Sequence, residues 1–189
     1  MQVNLPKYLM ILVALSTFSP AALAGGVASP AVHQGYDLLS KCDYPRAIFV
    51  LSAALKTNSG DVMARRYLAV ALNHTGNASK AAQHMELVIK MEPGKAADLA
   101  LLGHMYLLSG EHTHAISRFK QSLTLAPESD DARWGLAAAY LAVGDASKAT
   151  ATCNDGLAVC RDLNARKQLV RILSTIRTTA QTCEPDSRG

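Results

Sequence analysis

The hexapeptide GNASKA at residues 76–81 returns almost unchanged as GDASKA at residues 144–149, 68 positions further along the chain. Halfway between the two copies, residues 110–115 read GEHTHA, and 34 positions before the first copy residues 42–47 read CDYPRA. The alanines that mark this 34-residue spacing are Ala47, Ala81, Ala115 and Ala149. Self-similarity at a fixed period of about 20–50 residues is the signature of a repeat architecture.

Each 34-residue unit divides into two short stretches with helical periodicity. Counted with the alanine at position 20, the units span residues 28–61, 62–95, 96–129 and 130–163. The residues between the two stretches are Cys42, Gly76, Gly110 and Gly144. Glycine readily adopts the left-handed conformation that ends a helix. Pro93 and Pro127 cannot continue the second helix of their units. Each unit is therefore predicted to be a helix, a tight turn and a second helix.

The order of small and large side chains within the unit resembles the tetratricopeptide repeat (TPR). The third unit has Leu102, Gly103, Tyr106, Ala115, Phe119 and Pro127 at positions 7, 8, 11, 20, 24 and 32. Small residues at positions 8 and 20 let the two helices approach, and large apolar residues fill the space between units. The resemblance covers residues 28 to about 162. It implies an all-α fold, a right-handed superhelical solenoid of four helix-turn-helix repeats, within a TPR domain over residues 31–183.

A final amphipathic stretch is predicted to cover the last unit as a capping helix over residues 164–180. Its apolar stripe consists of Ala165, Leu169, Ile172, Leu173, Ile176 and Ala180. The opposite face carries Arg166, Lys167, Arg171 and Arg177. We interpret these cations as a solvated outer face, because repeat arrays need a polar end. A docking patch for an acidic partner or an anionic lipid is the alternative.

The two ends of the chain are expected to lie outside the repeat domain. Residues 1–24 have the layout of a secretory signal peptide, with an apolar run followed by Ala22-Leu23-Ala24. That run is too short and too interrupted for a membrane-spanning helix. Residues 25–30 are predicted to be a linker and residues 184–189 a flexible tail. We therefore expect an exported protein, periplasmic or secreted, with no integral membrane segment after cleavage.

The resemblance implies a concave groove lined by the first helix of each unit, and in this family such grooves commonly receive a peptide or helix. We call the side formed by positions 2, 5, 9, 12 and 13 of these helices the groove face. The predicted contact residues on it are Tyr36, Arg66, Asn73, His74, His104, Leu107 and Trp134. Trp134 could instead pack under the capping helix, and Leu107 could belong to the core. The Lys, Asn and Arg clamp with which some family members hold acidic tails is absent, because its positions hold Val32, Tyr36, Tyr67, Ala97 and Leu101.

Catalytic and ligand-binding motifs are missing from the sequence. The net charge of +4 is too small to indicate a nucleic-acid partner. His112 and His114 beside Glu111 form the only dense cluster of metal-ligand residue types, and side chains two apart on a helix point in different directions. No metal and no cofactor is therefore predicted. Cys153, Cys160 and Cys183 are candidates for a disulfide, since an even number of cysteines in an exported chain permits such bonds.

These patterns together predict a non-catalytic interaction module. We expect it to bind a protein segment or peptide in the TPR groove, as an adaptor or assembly factor for an exported complex such as a pilus or secretion apparatus. The alternative is a thiol/disulfide or metal-linked periplasmic protein that uses its four cysteines. A homo-oligomer, with the groove filled by residues 25–30 of a neighbouring copy, is a third hypothesis.

Overall fold

The computed structural model describes residues 29–182, and within this range the chain is helical throughout with no strand. The helices are α1 (Pro30–Ser40), α2 (Tyr44–Thr57), α3 (Val62–His74), α4 (Ala78–Met91), α5 (Ala96–Ser109), α6 (His112–Leu125), α7 (Asp130–Ala142), α8 (Ala146–Val159) and α9 (Leu163–Thr182). Four helix pairs are thus followed by one further helix. The predicted all-α class and the helix-turn-helix character of the units are confirmed.

Side-chain caps fix the start of several helices in phase with the repeat. The Asp61 carboxylate accepts a hydrogen bond from the backbone N–H of Ala64 at 2.9 Å, and the Ser129 hydroxyl accepts one from Ala132 at 3.2 Å. These bonds satisfy amide groups that the first turn of a helix leaves unpaired. The side chain of Asn77, which precedes α4, makes no such cap; its amide nitrogen donates instead to the carbonyl and hydroxyl oxygens of Thr75.

The described residues form two compact units that divide between Pro93 and Gly94. The first unit contains α1 to α4. Its buried core includes Val32, Leu39, Ala47, Leu51, Tyr67 and Leu68. Gly35 lets α2 approach α1, because a Cβ atom at Gly35 would lie 2.4 Å from a methyl carbon of Leu51.

The second unit contains α5 to α9 and is built around Phe119. This side chain is fully buried, and its ring fills the space left by Gly103 on α5 and Gly135 on α7. A Cβ atom at Gly135 would lie 2.5 Å from the ring. The last helix, α9, packs on α7 and α8 through the buried side chains of Ala165, Leu169 and Ile172. The apolar stripe predicted for the capping helix therefore faces the repeats.

Cys42 adopts a backbone conformation that is unfavourable for a residue with a side chain. Its φ is 57°, whereas Gly76, Gly110 and Gly144 at the equivalent turns have φ between 81° and 85°. The left-handed region costs about 1–2 kcal/mol for an L-residue other than glycine. Cys42→Gly is therefore expected to raise the free energy of unfolding by about 1 kcal/mol, measured by urea denaturation.

Cys42→Ala is the matched control for this substitution. It removes the thiol but keeps the Cβ atom, so it should give no comparable gain in stability. Equal stabilisation by alanine and glycine would show that backbone strain is not the cause.

Candidate functional site

In the first unit, Tyr36 on the groove face packs against the buried Tyr67. Tyr36 on α1 and Tyr67 on α3 have ring centroids 5.5 Å apart with an interplanar angle of 41°. Tyr36 is half-buried, so part of its ring is open to solvent. Burial raises the pKa of the Tyr67 phenol, and the neighbouring Tyr36 adds to this effect. The Tyr67 phenol is therefore neutral at physiological pH, and the open part of the Tyr36 ring offers an amphipathic surface.

Arg66 lies inside the first unit despite its charge. It is 3% exposed, and its guanidinium donates to a carboxylate oxygen of Glu92 at 3.1 Å. A second guanidinium nitrogen lies 2.9 Å from the sulfur of Met63. A buried cation needs such pairing because desolvation is costly. The geometry makes Arg66 a support for this face, and a direct contact with a partner stays a prediction.

His74 and Asn73 lie at the end of α3. The His74 ring stacks on Tyr44 of α2 with centroids 4.5 Å apart and an interplanar angle of 5°. Burial lowers the pKa of His74, which keeps its imidazole neutral near pH 7. The amide oxygen of Asn73 is enclosed and accepts no hydrogen bond from the described residues. Enclosed polar atoms are usually paired, so this oxygen is an exception, and a direct contact of Asn73 with a partner stays a prediction.

In the second unit, three of the groove-face side chains form one connected cluster, which we call the His104 cluster: His104, Asp131 and Trp134. The imidazole Nε2 of His104 lies 3.1 and 3.2 Å from the two carboxylate oxygens of Asp131, and the indole nitrogen of Trp134 donates to Asp131 at 3.2 Å. Because a carboxylate only accepts, Nε2 must carry the proton. The His104 and Trp134 rings also stack, with centroids 4.7 Å apart.

The charge on Asp131 is stabilised by its two neighbours. Burial alone would raise the pKa of this carboxyl, but the attraction of His104 and the hydrogen bonds from His104 and Trp134 outweigh burial and lower the pKa below 3.8. The Asp131 side chain is 27% exposed, whereas Trp134 as a residue is 4% exposed. The Asp131 carboxylate is therefore a part-exposed hydrogen-bond acceptor, and the buried Trp134 indole fixes its orientation.

Asp131 was not among the predicted contact residues. The sequence does indicate that Asp131 lies beside Trp134. The two are three residues apart, and such pairs share one side of a helix. His104, 27 residues earlier, occupies position 9 of the preceding unit. Only the packing of α5 beside α7 brings these positions together, and a single sequence does not give that distance.

The two leucines that follow His104 differ in accessibility. Leu107 is 7% exposed and belongs to the core of the second unit, which was the alternative given for it from the sequence. Leu108 is 40% exposed and lies one turn beyond His104 on α5. The groove face of the second unit therefore carries a large apolar side chain next to the His104 cluster.

The cysteines and histidines outside this face show no assembled reactive site. Cys153 and Cys160 carry free thiols, and burial raises the pKa of Cys153 to about 11, far from that of a reactive thiolate. Cys183 lies outside the described residues, so a disulfide to it stays a prediction. His114 pairs with Glu111 at 3.2 Å. Within residues 29–182, no three histidine, cysteine or carboxylate side chains are grouped so that they could hold a metal ion.

The described helices include none that is both long and apolar enough to cross a membrane. The predicted signal peptide at residues 1–24 and the predicted tail at residues 184–189 lie outside the described range. Export and the cleavage after residue 24 therefore stay predictions from the sequence.

Several solved structures have a similar fold. A crystal structure of MamA is 18% identical, covers 78% of this chain and 96% of its own, and has a TM-score of 0.63. MamA from Desulfovibrio magneticus RS-1 is 23% identical, with coverage of 70% and 75% and a TM-score of 0.67. A thermophilic TPR protein of Thermus thermophilus is 19% identical, with coverage of 83% and 91% and a TM-score of 0.64.

Among curated proteins, the chain is similar to the probable UDP-N-acetylglucosamine–peptide N-acetylglucosaminyltransferase SEC of Arabidopsis thaliana. The two are 30% identical over 94 residues, which is 50% of this chain. The match spans only 10% of the length of that relative.

Models of the repeat itself match the helix pairs described above. Residues 33–96 match one family model described as a tetratricopeptide repeat, and residues 106–170 match a second model with the same description. Together the two matches cover more than half of the chain. Such repeats are generally non-catalytic scaffolds that bind protein partners. By its helix pairs and by these matches, the chain belongs to the tetratricopeptide repeat family.

Proposed function

We propose that this protein is a scaffold whose partner docks, as a polypeptide segment, on the groove face of the second unit. The observation that carries the proposal is the exposure of Leu108 beside the His104 cluster. Interaction surfaces combine apolar side chains with polar groups around them, and Leu108 beside the His104 cluster is such a combination on the groove face. Apolar contact at Leu108 supplies affinity, because it removes hydrocarbon surface from water.

The His104 cluster supplies the polar part of the site. Asp131 accepts from both His104 and Trp134, so its carboxylate is held in one orientation before a partner arrives. A fixed acceptor costs little entropy on binding and sets the register of the segment that donates to it. In the first unit, the part-exposed ring of Tyr36 is suited to the same kind of contact.

We infer further that the scaffold is an adaptor for an exported assembly, such as a pilus or secretion apparatus. The support for export is the signal-like layout of residues 1–24. The type of assembly is an inference from the fold, on which many unrelated functions are built.

The test is affinity capture from the native exported fraction with two matched baits. Leu108→Asn changes an exposed leucine on the groove face of α5, and Leu125→Asn changes one that is 52% exposed in the last turn of α6. Both substitutions alter exposed leucines near a helix end, so their cost in stability should be similar. Recovery of the partner should fall on the order of tenfold for Leu108→Asn and stay unchanged for Leu125→Asn.

Circular dichroism of each bait checks that helicity is kept. If every protein is recovered equally by the two variants, the groove face of the second unit is not the docking site. Trp134 and Arg66 are poor probes here, because both are buried and their replacement changes stability together with binding.

A further inference from the structure

The last helix, α9, begins in the same way as two of the first helices of the repeats, α3 and α7. The Asp162 carboxylate accepts a hydrogen bond from the backbone N–H of Ala165 at 2.7 Å, three residues further on. Asp61 and Ser129 make the same bond at the start of α3 and α7. The residue in the cap position of α5 is Lys95, and its side chain makes no such bond. The capping residue of α9 follows Ser129 by 33 positions, one fewer than the repeat length. The cap therefore places α9 in the register of a repeat's first helix.

The pattern of buried residues along α9 indicates the same register, independently of the cap. In α9 the buried residues are Ala165, Leu169 and Ile172, which lie three, seven and ten positions after the cap. In α7 those positions are Ala132, Leu136 and Ala139, and in α5 they are Asp98, Leu102 and Met105. All nine are buried. The helix thus packs on its neighbours as the first half of a fifth unit would.

The outer side of α9 has a larger residue at the position where the first helices of the repeats have a small one. Eight residues after the cap, α5 has Gly103 and α7 has Ala137, where the second helix of the unit approaches closely. The equivalent residue of α9 is Val170, and it is 52% exposed. Within residues 29–182 no second helix covers it. The face that follows α9 is therefore solvent-accessible in the described part of the chain.

This register puts two cations on the continuation of the groove face. Lys167 lies five positions after the cap, as Trp134 does in α7, and Arg171 lies nine positions after it, as His104 does in α5. Both are exposed, and neither forms an ion pair with another described residue. The helix contains no acidic residue at all. Arg166 on the neighbouring side is engaged with the carbonyl oxygen of Leu157 at 3.2 Å.

We propose that Lys167 and Arg171 bind an acidic stretch of the polypeptide segment that docks on the groove face. This inference rests on the proposed function and specifies the chemistry of its partner. Residues four apart on a helix have Cβ atoms about 5–6 Å apart, and alternate residues of an extended chain are about 6–7 Å apart. An Asp-x-Asp sequence in an extended segment therefore matches the two cations.

A polypeptide fits this face better than a bilayer does. Asn164, Ser174 and Thr175 flank the two cations in the same register, and all three are polar. An interfacial helix needs a continuous apolar face to enter the headgroup region, and here the apolar stripe of α9 is buried against α7 and α8. Leu163 and Val170 are the large apolar residues of α9 that are exposed, and two separate side chains do not make such a continuous face.

The experiment compares two labelled peptides by fluorescence anisotropy at low salt. Both peptides begin with leucines. In the Asp peptide these are followed by Asp-x-Asp-x-Asp, and in the Asn peptide by Asn-x-Asn-x-Asn. The wild-type protein should bind the Asp peptide about fivefold to tenfold more tightly, since each exposed ion pair contributes modestly. Lys167→Glu with Arg171→Glu should remove this preference. Lys56→Glu with Lys80→Glu changes the net charge equally at exposed sites on α2 and α4, and should keep it.

The outcomes separate this proposal from the proposed function. Suppose that the two peptides bind equally and that Leu108→Asn weakens the binding of both. This result would overturn the acidic site and leave the proposed docking site on the groove face in place. If Lys56→Glu with Lys80→Glu also removes the preference for the Asp peptide, the preference comes from the net charge of the protein. That result would overturn the acidic site as well. Binding to vesicles of phosphatidylcholine and phosphatidylglycerol without a preference between peptides would assign the face to a lipid surface instead. Binding that ignores Leu108 would count against the groove itself.

Discussion

Phe119→Ala is expected to lower the free energy of unfolding of the second unit by about 3–5 kcal/mol. The ring is fully buried and touches α5 and α7 at the two glycines that make room for it. It also meets the edge of the His104 ring, with centroids 4.8 Å apart. Alanine would leave a cavity between three helices, and helices packed on glycine have no side chain there with which to fill it.

Urea denaturation followed by far-ultraviolet circular dichroism measures this loss. Leu125→Ala is the matched control on the same helix, because Leu125 is 52% exposed and should cost less than about 0.5 kcal/mol. Leucine at position 119 should restore part of the stability, since it fills part of the volume. A loss below about 1 kcal/mol for the alanine variant would show that the helices close over the cavity.

The repeat and its packing could be predicted from the sequence because they depend on local and periodic signals. The 34-residue spacing located the turns, and the small residues at positions 8 and 20, such as Gly103 and Ala115, predicted a close approach of the two helices of a unit. Helix starts at Val62, Ala96 and Asp130 follow that spacing. Such signals need no knowledge of distance in space, because each unit repeats the same contacts with its neighbour.

The contact residues could be predicted less well, because a position on a helix does not give its exposure. Trp134 and Arg66 occupy groove-face positions, yet both side chains are buried and bonded within their units. Asp131 is the more exposed member of its cluster and was missed. These outcomes depend on which long side chains meet across two helices, and a single sequence contains no measure of that.

Asp131 connects the stability of the second unit to its proposed docking site. It accepts hydrogen bonds from His104 and Trp134 at once: the bond from His104 links α7 to α5, and the bond from Trp134 fixes the carboxylate on α7 itself. The same carboxylate is the acceptor proposed for the partner. A change at Asp131 should therefore alter folding and binding together, whereas a change at Leu108 should alter binding alone.

Asp131→Ala is expected to lower the free energy of unfolding by about 2–4 kcal/mol at neutral pH. It leaves the indole N–H of buried Trp134 and the imidazole N–H of His104 without their acceptor, and each unpaired buried donor costs about 1–3 kcal/mol. The matched control is Asp155→Ala, which removes an exposed carboxylate from α8 and should change stability by less than about 0.5 kcal/mol. Urea denaturation of both variants and of the wild type gives the comparison.

The pH dependence of this loss tests its cause. Because the pKa of Asp131 is lower in the folded protein than its ordinary value of 3.8, the folded state favours the ionised carboxylate. The stabilisation by Asp131 is then fully present at a pH above the pKa that this carboxyl has in the unfolded protein. It is lost as the pH falls through the lower pKa of the carboxyl in the folded protein. The difference in unfolding free energy between wild type and Asp131→Ala should stay constant from neutral pH down to about 4 and shrink below it. A difference that persists undiminished in stronger acid would mean that Asp131 acts through packing, and the charged acceptor proposed for the docking site would be the wrong species.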